Sequence, residues 1–206
     1  MKVDGQLTYD KWCKGIQAGR NYTGDGRSHL IDFSINGTEL GTNDSTVKIA
    51  KPGKVEITSK VAAMLKPLRT IKIGNYNQKP YWHIERARMG ASRKVPVEVV
   101  VNGFPVSQTE IKADGTLIDF ATEIDIQQSS WVTLRILGSC HTNPIWVIVD
   151  DKPVRTSKKS AEWCLKSVDQ CWSQKQRFIK AEEMEQAKAD YQHARDVYKK
   201  RLAESR

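Results

Sequence analysis

The stretch VPVEVVVNGFPVSQTEIKADGTLIDFATEIDI, residues 95–126, decides the fold class. Three runs rich in Val, Ile and Thr are separated by Asn102-Gly103 and Asp114-Gly115. Such dipeptides permit the positive-φ turns of tight hairpins. The spacing predicts strands over 95–101, 106–113 and 117–126, joined as two hairpin-like units. The same texture continues on both sides. Residues 29–35 alternate partly and stop at Asn36-Gly37, and residues 47–61 read as a second pair of strands broken by Pro52-Gly53. Residues 65–80 are basic and proline-bounded, which predicts a loop with a short strand near 70–73. Residues 81–89 alternate, with Trp82, Ile84, Arg86 and Arg88 opposite His83, Glu85, Ala87 and Met89, and read as a strand. Residues 131–137 and 145–149 supply the last two. Many short strands with turn signals every ~8–12 residues predict a mainly β protein, an antiparallel β-sandwich of Ig-like or jelly-roll-like form.

Helical patterns bracket this region. Between Thr8 and Gly19, Trp12, Ile16 and Cys13 share one face, with Thr8 suited to cap the start and Gly19 the stop. After Lys152-Pro153, one apolar face runs through Ala161, Cys164, Leu165, Val168, Cys171 and Trp172. A second runs through Met184, Ala187, Tyr191, Ala194, Tyr198 and Leu202. The organisation read from the chain is therefore an N-terminal helix in 1–20, a sandwich over 21–152 and a helical hairpin over 153–206. That hairpin is expected to pack on the sandwich or on another chain, and a homodimer through these helices is one partner it suggests.

Composition narrows the functional classes. Of 206 residues, 39% are hydrophobic and 28% charged, an ordinary globular balance with enough chain for a sizeable core. No apolar run approaches the ~20 residues that span a bilayer. Met1-Lys2-Val3-Asp4-Gly5-Gln6 lacks the apolar stretch of a secretory signal. With neither signal nor membrane span, the compartment is left open. The net charge of +9 is spread thinly and is densest in the C-terminal tail. It forms no stripe of the kind that displaces counterions from phosphates, which argues against nucleic acid as partner. Cys13, Cys140, Cys164 and Cys171 form no CxxC pair. Seven helical residues hold Cys164 and Cys171 about 10 Å apart, too far for a disulfide. They read as reduced, buried thiols.

Three polar clusters carry possible chemistry. Arg20 to His29, with Tyr22, Gly24 and Gly26, is a dense polar loop that lacks the lysine and helix of a phosphate-binding loop. On a strand, His83 and Glu85 would share a face, so the carboxylate could orient the imidazole. The alternative is a wet face with cross-strand ion pairs. Cys140-His141 resembles a nucleophile beside its base, but such partners meet in space and not as sequence neighbours. No HxH or HExxH occurs, so no metal ligand is assigned. Of the six tryptophans, Trp131, Trp146, Trp163 and Trp172 read as core, with Trp12 and Trp82 as surface aromatics.

Several segments taken together are similar to a known family. Trp12, Gly15-Ile16, Ala18-Gly19-Arg20, Tyr22-Thr23 and Gly26 resemble the "W…G(I/L)xxGRxYxTxG" stretch of CehA/McbA-type metallohydrolases of the PHP superfamily. Trp131 to Arg135, then His141-Thr142-Asn143-Pro144 and the following apolar strand, resemble that family's "WxAxRxxG…HTxPxYVxV" segment. The likeness covers roughly residues 8–170. It implies a C-terminal β-sandwich region lying after a catalytic barrel, with hydrolysis of ester, amide or phosphoester bonds at a divalent metal held in that barrel. No metal ligand carries over, so no cofactor is expected in this chain. The expectation that follows is a non-catalytic accessory sandwich lining the active site of a barrel domain or partner chain through Arg20, Tyr22, His29 and His141. A carbohydrate- or ligand-binding module, recognised by exposed tryptophans on one sheet face, is the second reading. A small independent hydrolase built from His29, His83, Glu85 and His141 is the third.

Overall fold

The computed structural model describes residues 1–69 and 81–205. It divides into two compact units, residues 1–152 and 153–206. The short strand expected near 70–73, and most of the loop around it, lie outside the described residues.

The first unit is a sandwich of two sheets. The larger contains β1 (Tyr22–Gly24), β4 (Thr46–Ile49), β6 (Lys94–Val101), β7 (Phe104–Lys112), β9 (Ser130–Ile136), β10 (Cys140–Thr142) and β11 (Ile145–Val149). The smaller runs β3 (Thr38–Glu39), β2 (Ser28–Ile35), β5 (Gly53–Ala63), β8 (Ile118–Ile126). Pairing is antiparallel throughout, except where β4 lies parallel to β11.

Alternation builds the core. Val95, Val97 and Val99 of β6, Val132, Leu134 and Ile136 of β9, and Ile145 and Val147 of β11 are fully buried on one side. Leu30, Phe33 and Ile35 of β2 meet them with Val55, Ile57 and Val61 of β5. A bulge in β2 makes this possible. Asp32 adopts φ 56, and the register with β5 slips between Ile31 and Ser34, so Leu30 and Phe33 both face inward although three positions apart.

Two hairpins form as the turn residues require. Asn36-Gly37 and Asn102-Gly103 have positive φ at both positions, the mark of a type I′ turn. Two other joints are crossovers. Strands β4 and β5 flank Pro52-Gly53 but belong to opposite sheets, as do β7 and β8 either side of Asp114-Gly115. Turn residues set a local bend, not which sheet receives the next strand.

The strand expected over 81–89 is instead a 3₁₀ turn, Ile84–Ala87, with His83 Nδ1 accepting from the Glu85 amide at 3.2 Å. The reason lies in Glu85 and Arg88, three apart. A helical turn brings them together at 2.7 Å, both fully buried, where an extended chain would separate them.

Before the sandwich stands α1 (Tyr9–Gln17), with the Thr8 hydroxyl accepting from the Lys11 amide. Trp12 is exposed, in keeping with its reading as a surface aromatic, and Ile16 on the same face is exposed too.

The second unit is a helical hairpin, α2 (Lys158–Lys175) and α3 (Met184–Glu204). The Trp172 and Tyr191 rings meet at 4.9 Å, and Arg195 bonds Asp169 at 2.7 Å. Two helices cannot shield both sides of a seam, so only Ala161 is buried. Trp163 is 68% exposed and Cys171 is exposed, against the expectation of core positions. No helix among the described residues is long and apolar enough to cross a membrane.

Candidate functional site

The outer face of the larger sheet carries a groove of about 860 Å³. Its floor follows from strand parity. In β9, Val132, Leu134 and Ile136 point inward, so Trp131, Thr133 and Arg135 must point out. In β11, Ile145, Val147 and Val149 point inward, which turns Trp146 outward at 39% exposure. Trp131 and Trp146 are register partners across the strand pair, so the two indoles stand side by side on one face. Both were expected in the core. The apolar neighbours that suggested this fill the opposite parity.

A second register row crosses the sheet from Thr23 to His141, Arg135 and Glu98. Arg135 Nε donates to Glu98 Oε2 at 2.6 Å, which neutralises the guanidinium as a phosphate ligand. His141 is exposed, and its Nδ1 lies 3.2 Å from the Thr142 carbonyl. Between the rows, Asn143-Pro144 interrupts the edge shared by β10 and β11. The Thr142 hydroxyl accepts from the Leu134 amide at 3.1 Å, replacing the ladder bond lost there. Asn143 Nδ2 donates to the Gly19 carbonyl and to Asn21 Oδ1, fixing this rim.

Tyr81 and Trp82 form the far wall, and Trp82 is 62% exposed. The wall is docked on the turn after β9. Asp25 Oδ2 accepts from the Ile84 amide at 3.2 Å, while the Asp25 amide donates to the Ser139 carbonyl at 3.0 Å. Behind it, Arg88 donates to both Glu85 oxygens at 2.7 and 2.8 Å, and to the carbonyls of Lys66 and Ser92. The guanidinium holds the Glu85 carboxyl below its usual range, against the upward push of burial.

The residues singled out in the sequence do not assemble into one site. Of Arg20, Tyr22, His29, His83, Glu85 and His141, only His141 lines the groove. Arg20 is forked between Asp4 at 2.7 Å and Glu39 at 3.3 Å, and it lies across Gly41, where any side chain would collide with it. With the Lys2 ion pairs to Asp32 and Glu39, it staples the N-terminal segment to the sandwich. The Tyr22 hydroxyl and His29 Nδ1 share a hydrogen bond of 2.6 Å, and burial raises the phenol above its ordinary value. Arg20 and Tyr22 border a separate cavity of about 200 Å³. His83 caps the 3₁₀ turn and Glu85 is buried beneath it, so the two do not share a strand face.

Cys140 and His141 point to opposite sides of β10. Burial pushes the thiol up to about 12, so it stays protonated and is no nucleophile. Among the described residues, no three His, Cys, Asp or Glu side chains gather closely enough to hold a metal.

The groove residues that sequence reasoning missed are Trp131, Trp146, Arg135 and Thr133. Their signal was parity: a tryptophan in step with Thr133 and Arg135 shares their wet face. No protein-family model matches the sequence, and no curated protein matches it.

Proposed function

We propose that this chain is a ligand-binding β-sandwich module whose site is the groove on the larger sheet, and that its ligand is a carbohydrate. The observation that carries the reading is the Trp131–Trp146 pair held side by side on an exposed sheet face. Leaving two indoles partly open to water at one place forgoes part of the stabilisation of burying them, and such patches mark interaction sites. A sugar ring fits the chemistry, since it has a flat C–H face and a rim of hydroxyls that both donate and accept. The aromatic floor takes the first, while Arg135, Thr133 and His141 take the second. Nucleic acid fits poorly, because the cation that lines the groove is already paired with Glu98.

The test is a glycan array followed by calorimetry on the full chain. Saccharide binding that Trp131→Ala weakens by about 30-fold is expected, the scale of an aromatic hot spot. A blank array would end this reading.

A second reading keeps the same face with a different occupant. Of the residues that carry the likeness to the hydrolases, Thr23, Trp131, Arg135, His141, Asn143 and Pro144 line the groove, whereas Arg20 and Tyr22 border the separate cavity. This supports a role as an accessory surface over the active site of a separate metallohydrolase barrel. Titrating the chain into such a barrel should raise its turnover, and Arg135→Ala should cancel the rise. Absence of both complex and rate change would leave the saccharide reading alone.

A further inference from the structure

The groove has two aromatic ends rather than one. Trp131 and Trp146 form the first. Tyr81 and Trp82 form the second, seated on the turn that follows β9: a side chain on Gly138 would lie 3.2 Å from the Tyr81 carbonyl and 4.0 Å from Trp82 Cα. One face of the Tyr81 ring is taken by the Arg86 guanidinium at 5.7 Å, although Tyr81 at 72% is slightly more exposed than Trp82 at 62%. Trp131 and Ile136 are five residue steps apart along the extended strand, which sets the two ends roughly 17 Å apart at the usual strand rise. Thr133, Arg135 and His141 lie between them.

A single sugar ring can cover only one of these platforms. Resting on the carbohydrate reading, we propose that the ligand is an oligosaccharide chain lying along β9, stacked at one end on Trp131 and Trp146 and at the other on Trp82, with its middle hydroxyls on the polar row. Two contacts joined by one ligand reinforce each other through effective concentration, provided the ligand spans the gap. The far platform is preorganised, because Asp25 and the Glu85–Arg88 pair fix the turn that follows Trp82 before any ligand arrives. A proline-rich peptide would also find aromatic platforms here. Its backbone offers mainly acceptors, however, and makes less use of a middle row that both donates and accepts.

The experiment is calorimetry on the full chain with β-1,4-linked oligomers of glucose, mannose and N-acetylglucosamine, from one to six residues, and with a decaproline peptide. The expected result is affinity that rises at least about tenfold from disaccharide to hexasaccharide. Trp82→Ala should remove that gain while leaving disaccharide binding within about twofold, and Trp131→Ala should weaken both lengths. Since Trp82 is exposed, its variant should keep the parent melting temperature, and Trp82→Phe should retain most of the gain. Affinity independent of length, or a Trp82→Ala loss equal at every length, would overturn the two-platform inference while leaving the carbohydrate reading intact. Failure of every oligomer, or binding of decaproline alone, would overturn both.

Discussion

The two outer faces of the sandwich share one backbone plan and carry opposite chemistry. On the smaller sheet, Lys54, Glu56 and Lys60 of β5 stand beside Asp119, Glu123 and Asp125 of β8, with Lys54 bonded to Glu123 at 3.2 Å. Ile31 of β2 aside, the outward positions of these strands are short, polar or charged, as expected of a sheet with one wet side. On the larger sheet the corresponding positions hold Trp131, Trp146, Arg135 and His141, walled by Trp82. Alternation requires only that inward residues be apolar. What occupies the outward positions is free to serve something other than folding, and the contrast between the faces locates that freedom.

The contrast can be broken most severely beneath the aromatic wall. Arg88→Ala leaves Glu85 buried without its main partner and should cost about 3–5 kcal/mol, read from the denaturation midpoint. A loss under 1 kcal/mol would mean the wall has no such footing. The same pair gives a pH signature. Arg88 depresses the folded carboxyl of Glu85 below the usual value of 4.5, so the unfolded chain binds the proton first as pH falls. Its stabilisation is therefore complete above the unfolded value and fades as pH drops through the folded one. Glu85→Gln should flatten the fall of stability as pH drops below 4.5; an unchanged slope would assign acid sensitivity elsewhere.

Smaller effects sharpen the comparison at the surface. Trp131→Ala should weaken saccharide binding about 30-fold, roughly 2 kcal/mol, with little change in thermal stability. A matching loss from Lys54→Ala would erase the distinction between the faces. Lys54→Ala itself should move stability by less than about 0.5 kcal/mol, since its ion pair is exposed to water and salt.

The limits of the sequence reading have physical causes. Strands with clear alternation and strong turns, such as those around Asn102-Gly103, were legible because period and turn chemistry agree. Strands β1 and β10 are three residues long, too short to show a period. The 81–89 segment alternates by composition, yet the ion pair between Glu85 and Arg88 favours a helical turn that alternation alone does not reveal. For the candidate site, His141 was legible as a site-lining residue, though its place on β10 was not. Trp131 and Trp146 were hidden by their apolar neighbours. Trp82 was visible as a surface aromatic, but nothing local to it shows that residues 137–139 bring it alongside β9.

The parallel pairing of β4 with β11 has a consequence for how the molecule comes into being. Thr46 meets Trp146, one hundred residues later in the chain. At about 5–20 residues per second of synthesis, β4 waits roughly 5–20 s with one edge and the apolar side chain of Val47 uncovered. Contacts of such long range also form slowly, because a large loop must close before they return any stabilisation. The strand that ends this wait is the one that delivers Trp146. A nascent chain therefore acquires the Trp131–Trp146 pair at the same moment that it protects β4.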